Sequence, residues 1–311
     1  MNLEEKKVLL SRWDIIRQWK DKEWWYSGFY DTKNDIYFNF FFVRVNFIDQ
    51  FTLTLFEVKE QKIYEFSKKL FLDKEQKKNK LCLNYHSKNI SIEYNGDEIE
   101  GWTFKFKNNT FDIDLYLKPT IPYFTKFENQ YVYKYGLMHY FNNLTNGLIK
   151  ISNKTYKIEN ALCYYDHCFG TIPSESAWHW IAVQNKDVSL ASLVNYGPYA
   201  QKYSEIYFKK NDRNWKLNEW IRLNQDVSFE HYELDDKLMN TWKITSTDID
   251  VIVTPIMYIL DRTKVPKPLP FLDNIKHYEF FIKLSGNVRI DGQWIEIKDL
   301  YGIMEQHNGK W

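Results

Sequence analysis

The sequence is poor in cysteine, proline and glycine, and it has almost no net charge. Its 311 residues include 3 Cys, 8 Pro and 11 Gly. The cysteines, Cys82, Cys163 and Cys168, form no CxxC pair and are odd in number, which argues against a disulfide framework and a zinc ribbon. Lysine plus arginine (42) balances aspartate plus glutamate (41), so no overall field attracts nucleic acid.

Long apolar runs are missing as well. No stretch reaches the roughly 20 apolar residues that cross a bilayer as a helix. The first 22 residues lack the apolar core of a signal peptide, and they place Leu9, Trp13 and Ile16 at helical spacing. We therefore expect a short N-terminal helix and a cytoplasmic protein without an integral membrane segment.

Aromatic residues are abundant, at 18% of the chain, with 12 Trp, 23 Tyr and 22 Phe. Such side chains favour half-buried strands and rigid cavity walls. Strand-like segments recur about every ten residues between turn signals such as Asn95-Gly96, a rhythm typical of antiparallel barrels and sandwiches. Residues 36–47 are apolar on both faces except at Asn39, Asn46 and the charged Arg44, so we expect one face to line a cavity. The length suggests two β-domains, residues 1–160 and 161–311.

The central segment, residues 161–170, is unlike ordinary strand core. It places Tyr164, Asp166 and His167 among apolar residues, and Trp178-His179-Trp180 follows closely. A strand needs one apolar face but has no packing reason for a carboxylate and an imidazole between aromatic rings. This segment is the predicted site. The structural alternative is that Asp166 and His167 fix a turn between the domains through backbone hydrogen bonds.

Four motifs together resemble a known family. They are Glu23–Tyr26, Phe40–Arg44, Leu162–Gly170 with Trp178-x-Trp180, and Leu300–Glu305. In this order they are similar to the lipocalin-like superfamily of carotenoid 1,2-hydratases (hydroxyneurosporene synthases) and fungal Diels–Alderase-like proteins. The resemblance covers nearly the whole chain. It implies an all-β fold of two consecutive lipocalin-like antiparallel β-barrel domains.

The resemblance also implies a site made of a His-x-Trp pair and a Tyr-x-Asp pair. Tyr164-x-Asp166 matches the second pair as it stands. His139-x-Phe141 takes the place of the first, with phenylalanine where the family has tryptophan. A carboxyl group kept dry can stay protonated near neutral pH, so Asp166 is the expected general acid. His139 or His167 would orient it or deprotonate an attacking water.

Aromatic faces near the acid would stabilise a substrate cation. The residues expected to bind substrate are Trp24, Trp25, Phe141, His167, Trp178, Trp180, Arg44 and Glu305. Core packing is the alternative for Trp24 and Trp25. For Arg44 the alternative is a buried ion pair, with Glu23 or Glu305 as the partner, and Glu305 has the same alternative. His307 and Trp311 are expected at the surface.

These residues suggest three functions. The preferred one is a cofactor-independent enzyme that hydrates, cyclises or isomerises a hydrophobic, unsaturated substrate of terpenoid or polyketide type. A carrier of such molecules without turnover is the first alternative. A pericyclase, which needs no acid, is the second. No HxH or HxxxH spacing indicates a metal site, and neither Cys163 nor Cys168 has the surroundings of a nucleophile.

Overall fold

The computed structural model describes residues 21–45, 48–70, 80–121, 124–130, 133–171, 175–196, 202–209, 220–231, 239–260 and 276–310. Within these ranges every regular element is a β-strand, which confirms the all-β prediction. None of the described residues forms a helix with the length and hydrophobicity that a bilayer crossing requires. Residues 1–20 of the segment predicted to hold an N-terminal helix lie outside the described residues, as does Trp311, and the last two residues of that segment belong to the first strand.

The chain divides into two compact units, Met1–Ile172 and Pro173–Trp311. The boundary predicted from the sequence lies after residue 160 instead. Residues 161–171 pair with strands on both sides in the sheet of the first unit. The central segment therefore lies within a sheet, and the alternative that it fixes a turn between domains is wrong.

An 11-stranded antiparallel sheet forms the first unit. Its strands are β1 (Asp21–Asp31), β2 (Ile36–Val45), β3 (Ile48–Glu57), β4 (Lys62–Leu70), β5 (Leu81–Ser87), β6 (Ile90–Asp97), β7 (Gly101–Lys107), β8 (Phe111–Lys118), β9 (Phe124–Gln130), β10 (Tyr133–Ile151) and β11 (Lys154–Thr171). The order across the sheet is β4-β3-β2-β1-β11-β10-β8-β7-β6-β5, with β9 on β10. β11 thus sits near the middle, between β1 and β10.

This sheet curls on itself into a barrel with a filled interior. The rings of Phe40 on β2 and Phe104 on β7 stack with centroids 3.8 Å apart, although four strands separate β2 from β7 in the sheet. The rings of Phe51 on β3 and Phe106 on β7 also meet across the interior, with centroids 5.3 Å apart and tilted planes. The inner face of β2 was expected to line a cavity, but its phenylalanine rings are packed into this core.

β10 carries a bulge that changes its course beside the central segment. The strand is continuous from Tyr133 to Ile151. Its register with β11 shifts between Tyr140 and Asn143, and Asn142 has a left-handed φ of 52°. Bulges re-aim the side chains next to them.

A nine-stranded antiparallel sheet forms the second unit. Its strands are β12 (Glu175–Gln184), β13 (Val188–Asn195), β14 (Lys202–Phe208), β15 (Ile221–Arg222), β16 (Ser228–His231), β17 (Trp242–Thr245), β18 (Ile249–Leu260), β19 (Lys276–Ile290) and β20 (Gln293–Lys310). The order is β15-β14-β13-β12-β20-β19-β18-β17-β16. It also curls, and mainly aliphatic side chains fill its interior. The two consecutive antiparallel barrels predicted from sequence are confirmed.

Candidate functional site

Side chains of the central segment alternate between two faces of the first sheet, as strand geometry requires. Cys163, Tyr165 and Phe169 belong to the barrel core. Tyr164 and Asp166 therefore point to the opposite, outer face, and both are buried there. The sequence thus supplies two distinct sets of polar groups, one on each side of β11.

The outer face holds a hydrogen-bonded chain of three buried residues. The Tyr164 hydroxyl donates to Oδ2 of Asp166 over 2.8 Å. Nδ1 of His139 lies 2.7 Å from the same hydroxyl oxygen. Because the single tyrosine proton goes to the carboxylate, Nδ1 of His139 carries the hydrogen in its own bond to Tyr164. The three predicted catalytic residues therefore form one hydrogen-bonded chain, in which Tyr164 contacts both His139 and Asp166.

Cross-strand register brings these residues together. His139 on β10 lies opposite Asp166 on β11, and Tyr26 on β1 lies opposite Asp166 on the other side. The Phe141 ring packs on Tyr164, with centroids 4.8 Å apart. The Tyr26 ring lies 6.1 Å from Tyr164. Asp166 thus sits in the middle strand of three.

Tyr26 is part of this face although the sequence analysis gave it no role of its own. Its hydroxyl accepts a hydrogen bond from Nδ2 of Asn39 at 3.4 Å. The hydroxyl also covers Gly28, where an added Cβ would lie 2.6 Å from it. A side chain at position 28 would therefore displace Tyr26. Alternation along β1 places Trp24 and Tyr26 on one face of the strand. The sequence would predict that Tyr26 lies beside Asp166 only if the register of β1 against β11 were known.

Lys22 is a second residue that sequence reasoning missed. Its side chain is buried, and it shares the outer face with the half-buried Trp24 and with Cys168. Desolvation lowers the pKa of Lys22 to about 7, with an opposing contribution from Cys168. An amine that titrates near neutral pH can accept or release a proton at this face.

The inner face carries a separate pair, Glu23 and His167. Nε2 of His167 lies 3.0 Å from Oε1 of Glu23, and both side chains are buried. The Trp25 ring stacks on the His167 ring, with centroids 4.9 Å apart and planes 11° from parallel. His167 therefore cannot orient Asp166, which lies on the other face. Of the two histidines predicted for that role, only His139 lies on the same face as Asp166.

Trp25 and His167 line a pocket on the inner side of the first barrel. Trp102, Tyr140 and Tyr165 are its other aromatic walls, and it encloses ≈ 320 Å³ of space that includes open solvent. Tyr165 stacks on Trp102 with centroids 4.6 Å apart. Sequence reasoning placed Trp25 and His167 in the same site as Asp166, but they face a different space.

Arg44 is buried in an ion pair. Its Nε and Nη2 both donate to the carboxylate of Asp49 on the next strand. Both side chains are almost fully buried. Such a fork-to-carboxylate arrangement fixes both groups in orientation. Asp49 was not considered as a partner in the sequence analysis.

In the second unit, Trp178 and Glu305 are in contact. Nε1 of Trp178 donates to Oε2 of Glu305 over 3.0 Å. Trp178 also stacks on His307, with ring centroids 3.9 Å apart. His307 is only 2% exposed, so its predicted surface position is wrong. Trp180 packs against Tyr203, with ring centroids 6.0 Å apart.

In the part of the chain that the structure describes, no group of three or more His, Cys, Asp or Glu residues is arranged to hold a metal ion. Cys82, Cys163 and Cys168 are buried free thiols. Burial raises the pKa of Cys163 to about 12, which makes it a poor nucleophile.

A family model matches residues 4–311. The chain belongs to the DUF2804 family. Members of this family share a domain of unknown function. No curated protein matches the chain.

Solved structures share this fold across both units. One is a protein from Nitrosomonas europaea described as AttH, with a TM-score of 0.63 and 11% identity over 94% of this chain and 93% of the other. Kievitone hydratase from Nectria haematococca has a TM-score of 0.63 and 14% identity over 92% and 88%. CghA has a TM-score of 0.60 and 10% identity over 98% and 92%.

At these identities the likeness shows the fold alone. It supports the fold of two consecutive antiparallel barrels that the four motifs implied. A hydratase is among the proteins with this fold.

Proposed function

We propose that this DUF2804 protein is a cofactor-independent enzyme that hydrates, cyclises or isomerises a hydrophobic unsaturated substrate of terpenoid or polyketide type. The observation that carries the proposal is the buried chain from His139 through Tyr164 to Asp166. Kievitone hydratase, a protein with this fold, supports reaction of the hydratase type. The chain uses no metal or organic cofactor in this proposal.

Asp166 is the proposed general acid. Because Tyr164 donates to Oδ2, a protonated Asp166 carries its proton on Oδ1. Transfer of this proton to an alkene carbon breaks the π bond and leaves a carbocation on the neighbouring carbon. In hydration, water adds to the cation and returns a proton to the Asp166 carboxylate, which restores the acid. Loss of a proton from an adjacent carbon to the Asp166 carboxylate gives isomerisation. In cyclisation, a second alkene attacks the cation and closes a ring, and the new cation then loses a proton to the same carboxylate.

Tyr164 and His139 position the acid in this scheme. Tyr164 holds one carboxyl oxygen, and His139 holds the tyrosine hydroxyl in turn. The faces of Tyr26 and Tyr164 stabilise the cation by roughly 0.5 to 2 kcal/mol for each ring that lies within about 6 Å of it. Phe141 and Trp24 supply apolar contact on the same side of the sheet.

Two other functions fit parts of the same geometry. A pericyclase would use the outer face to bind a folded substrate and hydrogen-bond one carbonyl, without proton transfer. A carrier would bind the same molecule without turnover. We place the protein in the cytoplasm, where free thiols such as Cys163 remain reduced.

The test uses the Asp166→Asn variant with a panel of terpenoids and polyenes in D₂O. General-acid catalysis predicts deuterium at one product carbon and a rate that falls by about 10² to 10⁴ in the variant. Glu23→Gln, on the inner face, is the matched control and retains activity. Unchanged product formation by Asp166→Asn rejects the acid in favour of the pericyclase. Tight binding of the panel without any product favours the carrier.

A further inference from the structure

One end of the second barrel has an interior unlike the rest of its core. Most of that core is aliphatic. At this end, however, five ring side chains meet, which we call the ring cluster: His179, Tyr196, Phe229, His231 and Trp242. None of these residues has a part in the proposed reaction at Asp166.

The ring cluster spans the barrel interior. His179 on β12 stacks on Phe229 of β16, with centroids 5.4 Å apart. It also meets Trp242 of β17 edge-on at 5.2 Å. Because β20, β19 and β18 lie between β12 and β17 in the sheet, these contacts cross the barrel. Trp242 and His231 are direct cross-strand partners, with ring centroids 4.5 Å apart.

Two polar atoms of the ring cluster lack hydrogen bonds. Nε1 of Trp242 and Nε2 of His231 are buried and have no partner among the residues that the structure describes. Trp242 is only 4% exposed. A buried donor without an acceptor is costly, and such groups in native proteins call for a specific explanation. His179, the other nitrogen-containing ring of the cluster, has a hydrogen-bond partner, because its Nδ1 lies 2.9 Å from the Tyr196 hydroxyl.

Two walls of the ring cluster, His179 and Tyr196, are uncharged at neutral pH. Burial lowers the pKa of His179 to about 4, so its imidazole carries no charge at pH 7. Burial also raises the pKa of Tyr196. A carboxylate or an ammonium ion would meet no opposite charge from His179 or Tyr196. A neutral planar molecule can stack on them, and Tyr196, which is 52% exposed, marks the side open to solvent.

We infer that the ring cluster is a binding site for a neutral, planar aromatic molecule that carries a hydroxyl group. The hydroxyl oxygen accepts from Nε1 of Trp242, and the hydroxyl hydrogen is donated to Nε2 of His231. One phenol-type group thereby satisfies both unpartnered atoms. The site is independent of the reaction proposed at Asp166.

The experiment follows the indole N–H signals of the ¹⁵N-labelled full chain during titration with 2-naphthol and with naphthalene. The Trp242 signal is identified from its loss in Trp242→Phe. We expect 2-naphthol to shift this signal saturably and to bind about tenfold more tightly than naphthalene. That difference corresponds to about 1.4 kcal/mol for the hydrogen-bonded hydroxyl.

Trp242→Phe and His231→Leu should each reduce the preference for 2-naphthol, while Trp180→Phe, which changes a tryptophan outside the ring cluster, leaves it intact. Retention of the preference in both cluster variants overturns the inference. So does a Trp242 N–H that contacts only a buried water and does not respond to 2-naphthol. None of these readouts uses the reaction at Asp166, so failure here leaves the proposed function standing, and the reverse also holds.

Discussion

Tyr164 donates a hydrogen bond of 2.8 Å to Asp166, two residues further along the same strand. Residues two apart share a face of a strand, so the bond needs no distant element to form. The distant contribution comes from His139, which lies opposite Asp166 on β10 and contacts the Tyr164 hydroxyl. The candidate acid is therefore held by one local contact, and a long-range contact holds the residue that makes it.

Tyr164→Phe should lower kcat by roughly 10- to 100-fold with little change in KM, because the carboxyl group loses its positioning contact while substrate contacts remain. Stability should fall by about 1–3 kcal/mol, since a buried carboxyl oxygen loses its donor. Steady-state kinetics and urea unfolding measure the two effects.

Tyr30→Phe is the matched control for this change. Its hydroxyl bonds Asp35 at the end of the β1–β2 hairpin, over 2.5 Å. Activity should be unchanged in that variant. An equal loss of kcat in both variants would contradict a positioning role for Tyr164.

Glu23 and His167 should be energetically coupled. A double-mutant cycle with Glu23→Leu and His167→Phe keeps a ring against Trp25 and removes the 3.0 Å contact. We expect a coupling free energy of about 1–3 kcal/mol, because each single variant leaves the other buried group without its partner. Urea unfolding of the four proteins gives this value.

The exposed ion pair between Lys33 and Glu159 provides the comparison for this cycle. Solvent screens that pair, so its coupling should be much smaller. A cycle in which the buried pair couples no more strongly than the exposed pair would show that Glu23 does not hold His167.

Local pattern predicted antiparallel β-structure, and the family resemblance implied two barrels and the Tyr164-x-Asp166 pair. Neither could predict which residues join this pair from other strands. Alternation along β11 separates Asp166 from His167, and the sequence analysis nevertheless put both into one site. Tyr26 and Lys22 were missed because their relation to β11 depends on the register of β1. Register is a long-range property, and a shift of one residue would turn Tyr26 to the inner face.

Lowering the pH should destabilise the second unit through His179. Its pKa is about 4 in the folded chain, compared with the ordinary value of 6.5. Between these values the unfolded chain binds more protons, so stability falls as the pH drops from about 6.5 to about 4. The loss amounts to roughly 3 kcal/mol at 1.36 kcal/mol for each pKa unit.

His179→Gln removes this titration and retains a polar group that can bond Tyr196. The original protein loses stability as the pH falls from 6.5 to 4, and the variant lacks this loss. Its advantage in unfolding free energy over the variant should therefore shrink as the pH falls. Urea titrations at several pH values from 4 to 7 measure it. Two parallel curves would mean that His179 is protonated in the folded state as readily as in the unfolded chain.

Gly302, in the C-terminal motif that resembles the lipocalin-like superfamily, should tolerate no side chain. An added Cβ would lie 2.0 Å from the carbonyl oxygen of Ala182 on β12. Relief of this clash requires β12 and β20 to separate where they pair, so Gly302→Ala should cost about 1–3 kcal/mol or more. Gly292→Ala is the control, since a Cβ there meets no atom within 4 Å and only its φ of +80° opposes the change. Equal thermal stability of the two variants would show that the close approach of β12 does not determine the glycine at position 302.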